Sequence, residues 1–158
     1  MKHIHLIGID PKDCAIIAEK LNVLLANYSV FYQNTRGAHW NIKGDDFFTL
    51  HLKFEELYNN LILKIDEVAE RILTLGFSPE HNYTSYLEKA TIEESKDVSD
   101  GNKCVENILK SLKILIQLQR ELLTITEKAG DEGTNALMSD YISEQEKEAW
   151  MYNSYLGL

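Results

Sequence analysis

The sequence predicts an all-α protein, a four-helix bundle with a short additional helix in the crossover between its second and third long helices. Three observations predict it. Apolar residues recur at spacings of three and four along four long stretches. No stretch alternates apolar and polar residues in the manner of a half-buried strand. The 2 prolines and 8 glycines fall mostly between the periodic stretches, which keeps the helix interiors free of breakers.

Residues 1–10 read as a short tail and 11–158 as one domain. Asp10 is a suitable cap for the first helix, and Pro11 fits its first turn, where the missing N–H would have no partner anyway. Ile17, Leu21, Leu24, Leu25, Tyr28, Phe31 and Tyr32 form the inner face, and the helix is expected to end around Arg36 and Gly37. Residues 38–44 then form a connection, with Asp45 or Asp46 capping the second helix. That helix carries the clearest apolar stripe, from Phe47 through Leu50, Phe54, Leu57, Leu61, Ile65, Val68 and Ile72 to Leu75, with Gly76 as its stop. Ser78 and Pro79 break the chain, residues 83–89 suit a short helix, and 91–100 read as an acidic, polar loop. The third long helix is expected near 98–128, with Val105, Ile108, Leu112, Leu115, Ile116, Leu118 or Gln119, and Leu122 inward. A fourth starts at Asp131 or Glu132 and continues to about Tyr155, with Leu137, Met138, Tyr141, Ile142, Gln145 and Ala149 inward. The linker before the third long helix spans roughly two dozen residues, enough to cross the bundle from end to end, as in the one-crossover topology of ferritin-like folds.

Composition narrows the function. With 44% hydrophobic and 26% charged residues in 158, the chain is globular and long enough to bury a core. Its formal charge is −9, from 25 acids against 16 bases, a surface that attracts cations and repels phosphate backbones and anionic membranes. Only Lys2 and Lys12 are basic in the first dozen residues, and no base follows Lys147, so the clustered Lys and Arg that DNA contacts require are missing from both ends. Cys14 and Cys104 lack a CxxC partner and read as free thiols of a reducing compartment. Asp10, Pro11, Lys12 and Asp13 interrupt any signal-peptide core, and no unbroken apolar run of membrane-spanning length occurs. A cytoplasmic location without membrane insertion is expected.

The chemistry lies in residues 38–71, which hold His39, His51, Glu55, Asp66 and Glu70. Imidazole with carboxylate is the ligand set for ferrous iron and similar borderline metals. His51 and Glu55 are four apart and stack on one helix face, as do Asp66 and Glu70. Glu55 and Asp66 are eleven apart, about three turns, so both pairs lie along one stripe but roughly 16 Å apart. His51 falls about 60° to one side of the apolar stripe, so this row borders the core without occupying it. One ion cannot touch both pairs on a single helix. Either the sites are unrelated, or two antiparallel copies of the helix each lend one pair to a shared site. The Glu-x-x-His motif of di-iron sites inside bundles is absent from the sequence.

The runs Gly37-Ala38-His39-Trp40-Asn41, Phe47-Phe48-Thr49-Leu50-His51, Phe54-Glu55-Glu56-Leu57-Tyr58 and Asp66-Glu67-Val68-Ala69-Glu70-Arg71 strongly resemble the Dps family of bacterial mini-ferritins. The likeness covers nearly the whole chain, including Gly130-Asp131-Glu132-Gly133-Thr134. It implies a dodecameric cage that oxidises ferrous iron, preferably with hydrogen peroxide, and stores ferric oxide. It also implies a ferroxidase centre between two-fold related subunits, with His39, His51 and Glu55 from one chain and Asp66 and Glu70 from the other. The family often has Asp where this chain has Glu55, which keeps the charge and adds a methylene. By the same likeness Trp40 is a sacrificial electron donor or an interface aromatic, and Glu127, Asp131 and Glu132 line an iron-entry pore. His3 and His5 are a weak accessory metal pair or an idle tail. The competing function is a non-enzymatic cage that protects DNA by association.

Overall fold

The computed structural model describes residues 6–158; Lys2, His3 and His5 lie outside them. The described residues form five helices and no strand: α1 (Pro11–Asn41), α2 (Phe47–Thr74), α3 (Tyr83–Lys89), α4 (Gly101–Ala129) and α5 (Glu132–Tyr155). α1 packs on α2, α4 and α3, and α4 packs on α5, so α1 is the spine of the bundle. Its apolarity would suit a membrane span by length and composition, but most of the relevant window is buried in the protein core. Leu21, Leu24, Tyr28 and Phe31 meet Phe54, Leu57, Leu61, Leu112, Leu115 and Met138 there, all with almost no exposed surface.

The ends follow from local chemistry. Asp10 caps α1 by accepting from the Lys12 N–H at 2.8 Å, with Pro11 at the first position. Asp100 caps α4 and Asn82 caps α3 in the same way, through the N–H groups of Lys103 and Ser85. α4 stops where Gly130 turns into the left-handed region (φ 67°), and the N–H groups of Gly130 and Asp131 close back onto Glu127 and Thr126.

Two expected boundaries move. α1 does not end at Arg36 and Gly37 but continues through Ala38, His39 and Trp40 to Asn41. Gly37 is an ordinary helical residue, and a glycine costs a helix only about 1 kcal/mol. Ala38, His39 and, just beyond the helix, Ile42 are buried, and that packing outweighs the cost. α4 starts at Gly101 and not near 98, because Asp100 takes the cap.

The crossover is strapped to α1 by three asparagines. Asn22 Oδ1 accepts the Glu80 N–H. Asn27 Oδ1, fully buried, accepts the N–H groups of Thr91 and Ile92 and the Thr91 hydroxyl. Asn34 accepts from the Ser95 N–H and donates to the Glu93 carbonyl. A loop that crosses the molecule thus satisfies its backbone on the side chains of one helix.

Candidate metal centre

The end of α1 and the start of α2 are joined by residues 42–46, which bring His39 and His51 face to face. The rings stack at 3.8 Å between centroids and 17° between planes. Each histidine also bonds the other's backbone: His39 Nδ1–H donates to the His51 carbonyl at 2.7 Å, and His51 Nδ1–H donates to the His39 carbonyl at 2.8 Å. The last four carbonyls of a helix have no partner within it, and His39 is one of these residues, so its carbonyl is free for the clasp. A carbonyl only accepts, so both Nδ1 atoms carry a proton, and Nε2 is the nitrogen of each ring left for a metal.

Phe47 stacks on the outer side of His51 at 4.9 Å, and the Tyr58 ring meets His39 edge-on at 5.3 Å. Neither aromatic was singled out by the ligand pattern. Both stand on the helix face of His51, four residues before it and seven after, and that periodicity is the signal that marks them. His39 is buried, while His51 and Glu55 are half-buried. Ligand atoms of His39, His51 and Glu55 lie within 4.8 Å of one another, the one such three-residue group of His, Cys, Asp and Glu among the described residues. Each element follows from sequence: Glu55 is one turn after His51, and the five-residue connection returns α2 alongside α1.

Asp66 and Glu70 are exposed on α2 and stand outside this group, as the helical rise requires. Glu55, Asp66 and Glu70 share their face of α2 with the exposed apolar side chains Phe48, Leu52 and Leu73, all within about 40° of one line at 3.6 residues per turn. A stripe of exposed large apolar residues marks a surface suited to contact with another protein, and this one also carries the carboxylates of Asp66 and Glu70. Trp40, next to His39, is more than half exposed, and the Arg36 guanidinium sits 4.7 Å above its ring.

The expected pore acids separate. Glu127 and Glu132 are exposed near the α4–α5 turn. Asp131 is not available as a pore carboxylate: its side chain is fully buried and already engaged. It caps α5 through the Thr134 N–H (3.0 Å), accepts the Thr134 hydroxyl (2.5 Å), and pairs with Arg71 of α2 (2.5 Å). The pairing explains Gly133 as well, since a Cβ there would come within 2.9 Å of the Arg71 guanidinium.

Both cysteines are buried and unpaired with each other. Burial pushes the Cys104 thiol up to about 11, far from a reactive thiolate.

Comparison with known proteins decides the family. A profile of the ferritin-like domain matches residues 18–158. A DPS protein of Vibrio cholerae O1, whose structure is described as belonging to the ferritin-like diiron-carboxylate superfamily, superimposes with a TM-score of 0.94 at 54% identity, covering 96% of this chain and 95% of that one. The chain belongs to the Dps family. Among Dps relatives, the "DNA protection during starvation protein" of Porphyromonas gingivalis is 39% identical over 98% of this chain and 97% of its own length. A Dps structure from Listeria innocua soaked with zinc matches with a TM-score of 0.86 at 33% identity, covering 89% of this chain and 96% of that one. An uncharacterized protein of Haemophilus influenzae is 53% identical over 94% of this chain and 92% of its own. As a Dps protein with a ferritin-like fold, the chain belongs to a family of iron handling and cellular protection.

Proposed function

We propose that the chain is a ferroxidase and iron store, which oxidises ferrous ions with hydrogen peroxide at centres shared by two copies and holds the ferric product inside a cytoplasmic shell of twelve. The observation that carries this reading is the His39–His51 clasp, which occupies both Nδ1 atoms, with ligand atoms of His39, His51 and Glu55 within 4.8 Å of one another. Imidazole nitrogen with carboxylate oxygen suits ferrous iron, and carboxylates favour the harder ferric product. The second copy is inferred from the exposed ligand-bearing face of α2: an antiparallel neighbour would bring its Asp66 and Glu70 opposite His39, His51 and Glu55. Glu55 in place of Asp keeps the charge and extends the reach by one methylene.

Ferrous iron is the substrate. Two ions give two electrons to one peroxide, which takes two protons and leaves as two waters, so no hydroxyl radical is released. The clasp commits each Nδ1–H to a carbonyl and leaves Nε2 as the ligand nitrogen, and the aromatic walls of Phe47 and Tyr58 limit rotation of the rings. Few protein ligands per ion leave coordination positions for peroxide. Glu127 and Glu132 are assigned to cation entry, without Asp131. Trp40 is assigned to packing between copies, in keeping with its exposure. The formal charge of −9 on every copy argues against direct DNA binding.

Stopped-flow absorbance of ferrous oxidation by the purified cage, with peroxide compared against air, tests the reading. Rapid stoichiometric oxidation with peroxide and slow oxidation in air are expected. His39→Ala with His51→Ala should leave the cage assembled by size exclusion and abolish the rapid phase. Wild-type rates equal to protein-free controls would refute the ferroxidase and favour the DNA-protecting cage; unchanged rates in the double variant would refute the ligand assignment.

A further inference from the structure

A line of tyrosines connects the candidate metal centre to the middle of the bundle. Tyr58, edge-on to His39, meets Tyr32 at 6.1 Å between centroids. Tyr28 is one turn before Tyr32 on α1, a spacing that puts Cβ atoms roughly 5–6 Å apart. Tyr28 meets Tyr141 of α5 at 6.0 Å, again edge to face. The three ring-to-ring distances are contact separations for paired aromatic rings, and the Tyr32–Tyr28 step runs along one turn of α1.

The last member differs from the others. Tyr141 is buried, yet its O–H is donated to the Glu67 carboxylate at 2.5 Å, and Glu67 is open to solvent. The Tyr28 oxygen instead accepts amide N–H groups from Gln119 and Gln145, at 2.7 and 2.6 Å. Among the described residues neither Tyr28, Tyr32 nor Tyr58 has a carboxylate as hydrogen-bond partner. A phenol that loses an electron becomes strongly acidic, and a charge stranded in a core is costly. An oxidising equivalent therefore settles where the phenolic proton has a base to go to, which along this line is Tyr141. The Lys64 ammonium lies 4.8 Å from that ring but is paired with Glu144, and loss of the proton leaves Tyr141 neutral.

We propose that Tyr58, Tyr32, Tyr28 and Tyr141 relay a one-electron oxidising equivalent from the metal centre to Tyr141, which yields its electron along the line and its proton to Glu67. The proposal rests on the ferroxidase reading. It applies to a centre holding one ferrous ion, which can supply peroxide with only one of the two electrons needed. Iron gives the first electron and Tyr141 the second; peroxide takes both with two protons and leaves as two waters. The products are one ferric ion, a neutral tyrosyl radical at Tyr141 and a protonated Glu67. The relay thus keeps a half-loaded centre from releasing hydroxyl radical.

Freeze-quench electron paramagnetic resonance on the full-length cage, mixed with peroxide at one ferrous ion per centre, tests this. A tyrosyl signal is expected that narrows when the protein is grown on ring-deuterated tyrosine. Tyr141→Phe should abolish that signal, while Tyr83→Phe, far exposed on α3, should keep it. Stopped-flow oxidation of iron, at two ferrous ions per centre, is followed on the same samples and should be the same in Tyr141→Phe as in wild type. Rapid iron oxidation without a tyrosyl signal, or with a signal unchanged in Tyr141→Phe, would overturn the relay alone. Iron oxidation at the protein-free rate would overturn the relay together with the ferroxidase reading beneath it.

Discussion

Mixed cages give the sharpest test of a shared centre. Glu55 and Asp66 are separated on α2 by eleven residues, roughly 16 Å of helix. Two ligands of one ion, each bound at about 2.1 Å, lie within roughly 4 Å of each other. A single chain therefore cannot close a centre from His39, His51, Glu55, Asp66 and Glu70. Consider one variant with His39→Ala and His51→Ala, and another with Asp66→Asn and Glu70→Gln. Each alone should be inactive. Co-expressed in equal amounts with random pairing, half of the two-fold pairs are mixed. In a mixed pair one centre receives both damaged halves and the other both intact halves. About one quarter of all centres should then work, where a two-fold interface presents the same patch from each copy. The assay is the initial rate of peroxide-driven ferrous oxidation per cage, after size exclusion has shown that each variant assembles. A mixed preparation no faster than either parent would refute the sharing of ligands between copies.

Three further outcomes follow from the packing. Arg71→Met leaves the fully buried Asp131 carboxylate without its counter-charge, and should destabilise the fold by about 3–5 kcal/mol in chemical denaturation. Glu148 is pushed up to about 7, first by burial and then by Glu144, with Lys64 opposing. Its folded form holds a proton that the unfolded form has lost between about 4.5 and 7, so stability should fall as pH rises through that window. Glu148→Gln should therefore stabilise by about 1–2 kcal/mol at pH 8, after allowance for partial solvent screening, and have little effect at pH 4. Asn27→Leu removes the acceptor of two crossover N–H groups, of which the Ile92 one is buried, and should cost roughly 1–3 kcal/mol and speed hydrogen exchange at Thr91 and Ile92.

The parts of the fold that were legible in the sequence are those set by periodicity over many turns. The stripe from Leu50 to Ile72 in α2 is buried as its spacing requires, with Ile65 alone left half-buried, and α3 spans the residues suited to it. The end of α1 was not legible, because Gly37 signals a stop only when nothing beyond it packs, and the burial of Ala38, His39 and Ile42 is a tertiary fact. At the candidate site, spacing alone put His51 and Glu55 on one face. The contact of His39 with His51 depends on a turn whose path no periodicity encodes. Asp131 shows the same limit from the other side. An acid at a helix start looks alike in sequence whether it faces solvent or an arginine 60 positions away.

The clasp between the two histidines has a consequence for when oxidation can begin. Their proton positions are fixed by two carbonyls of the same chain, so this half of the centre is formed as soon as α1 and α2 fold, without help from metal. With Asp66 and Glu70 of the same helix out of its reach, a newly made subunit owns three donors and no means of completing them. On the proposed ferroxidase reading, assembly would then act as the licence for chemistry, with ferric product forming only where there is already a wall to contain it.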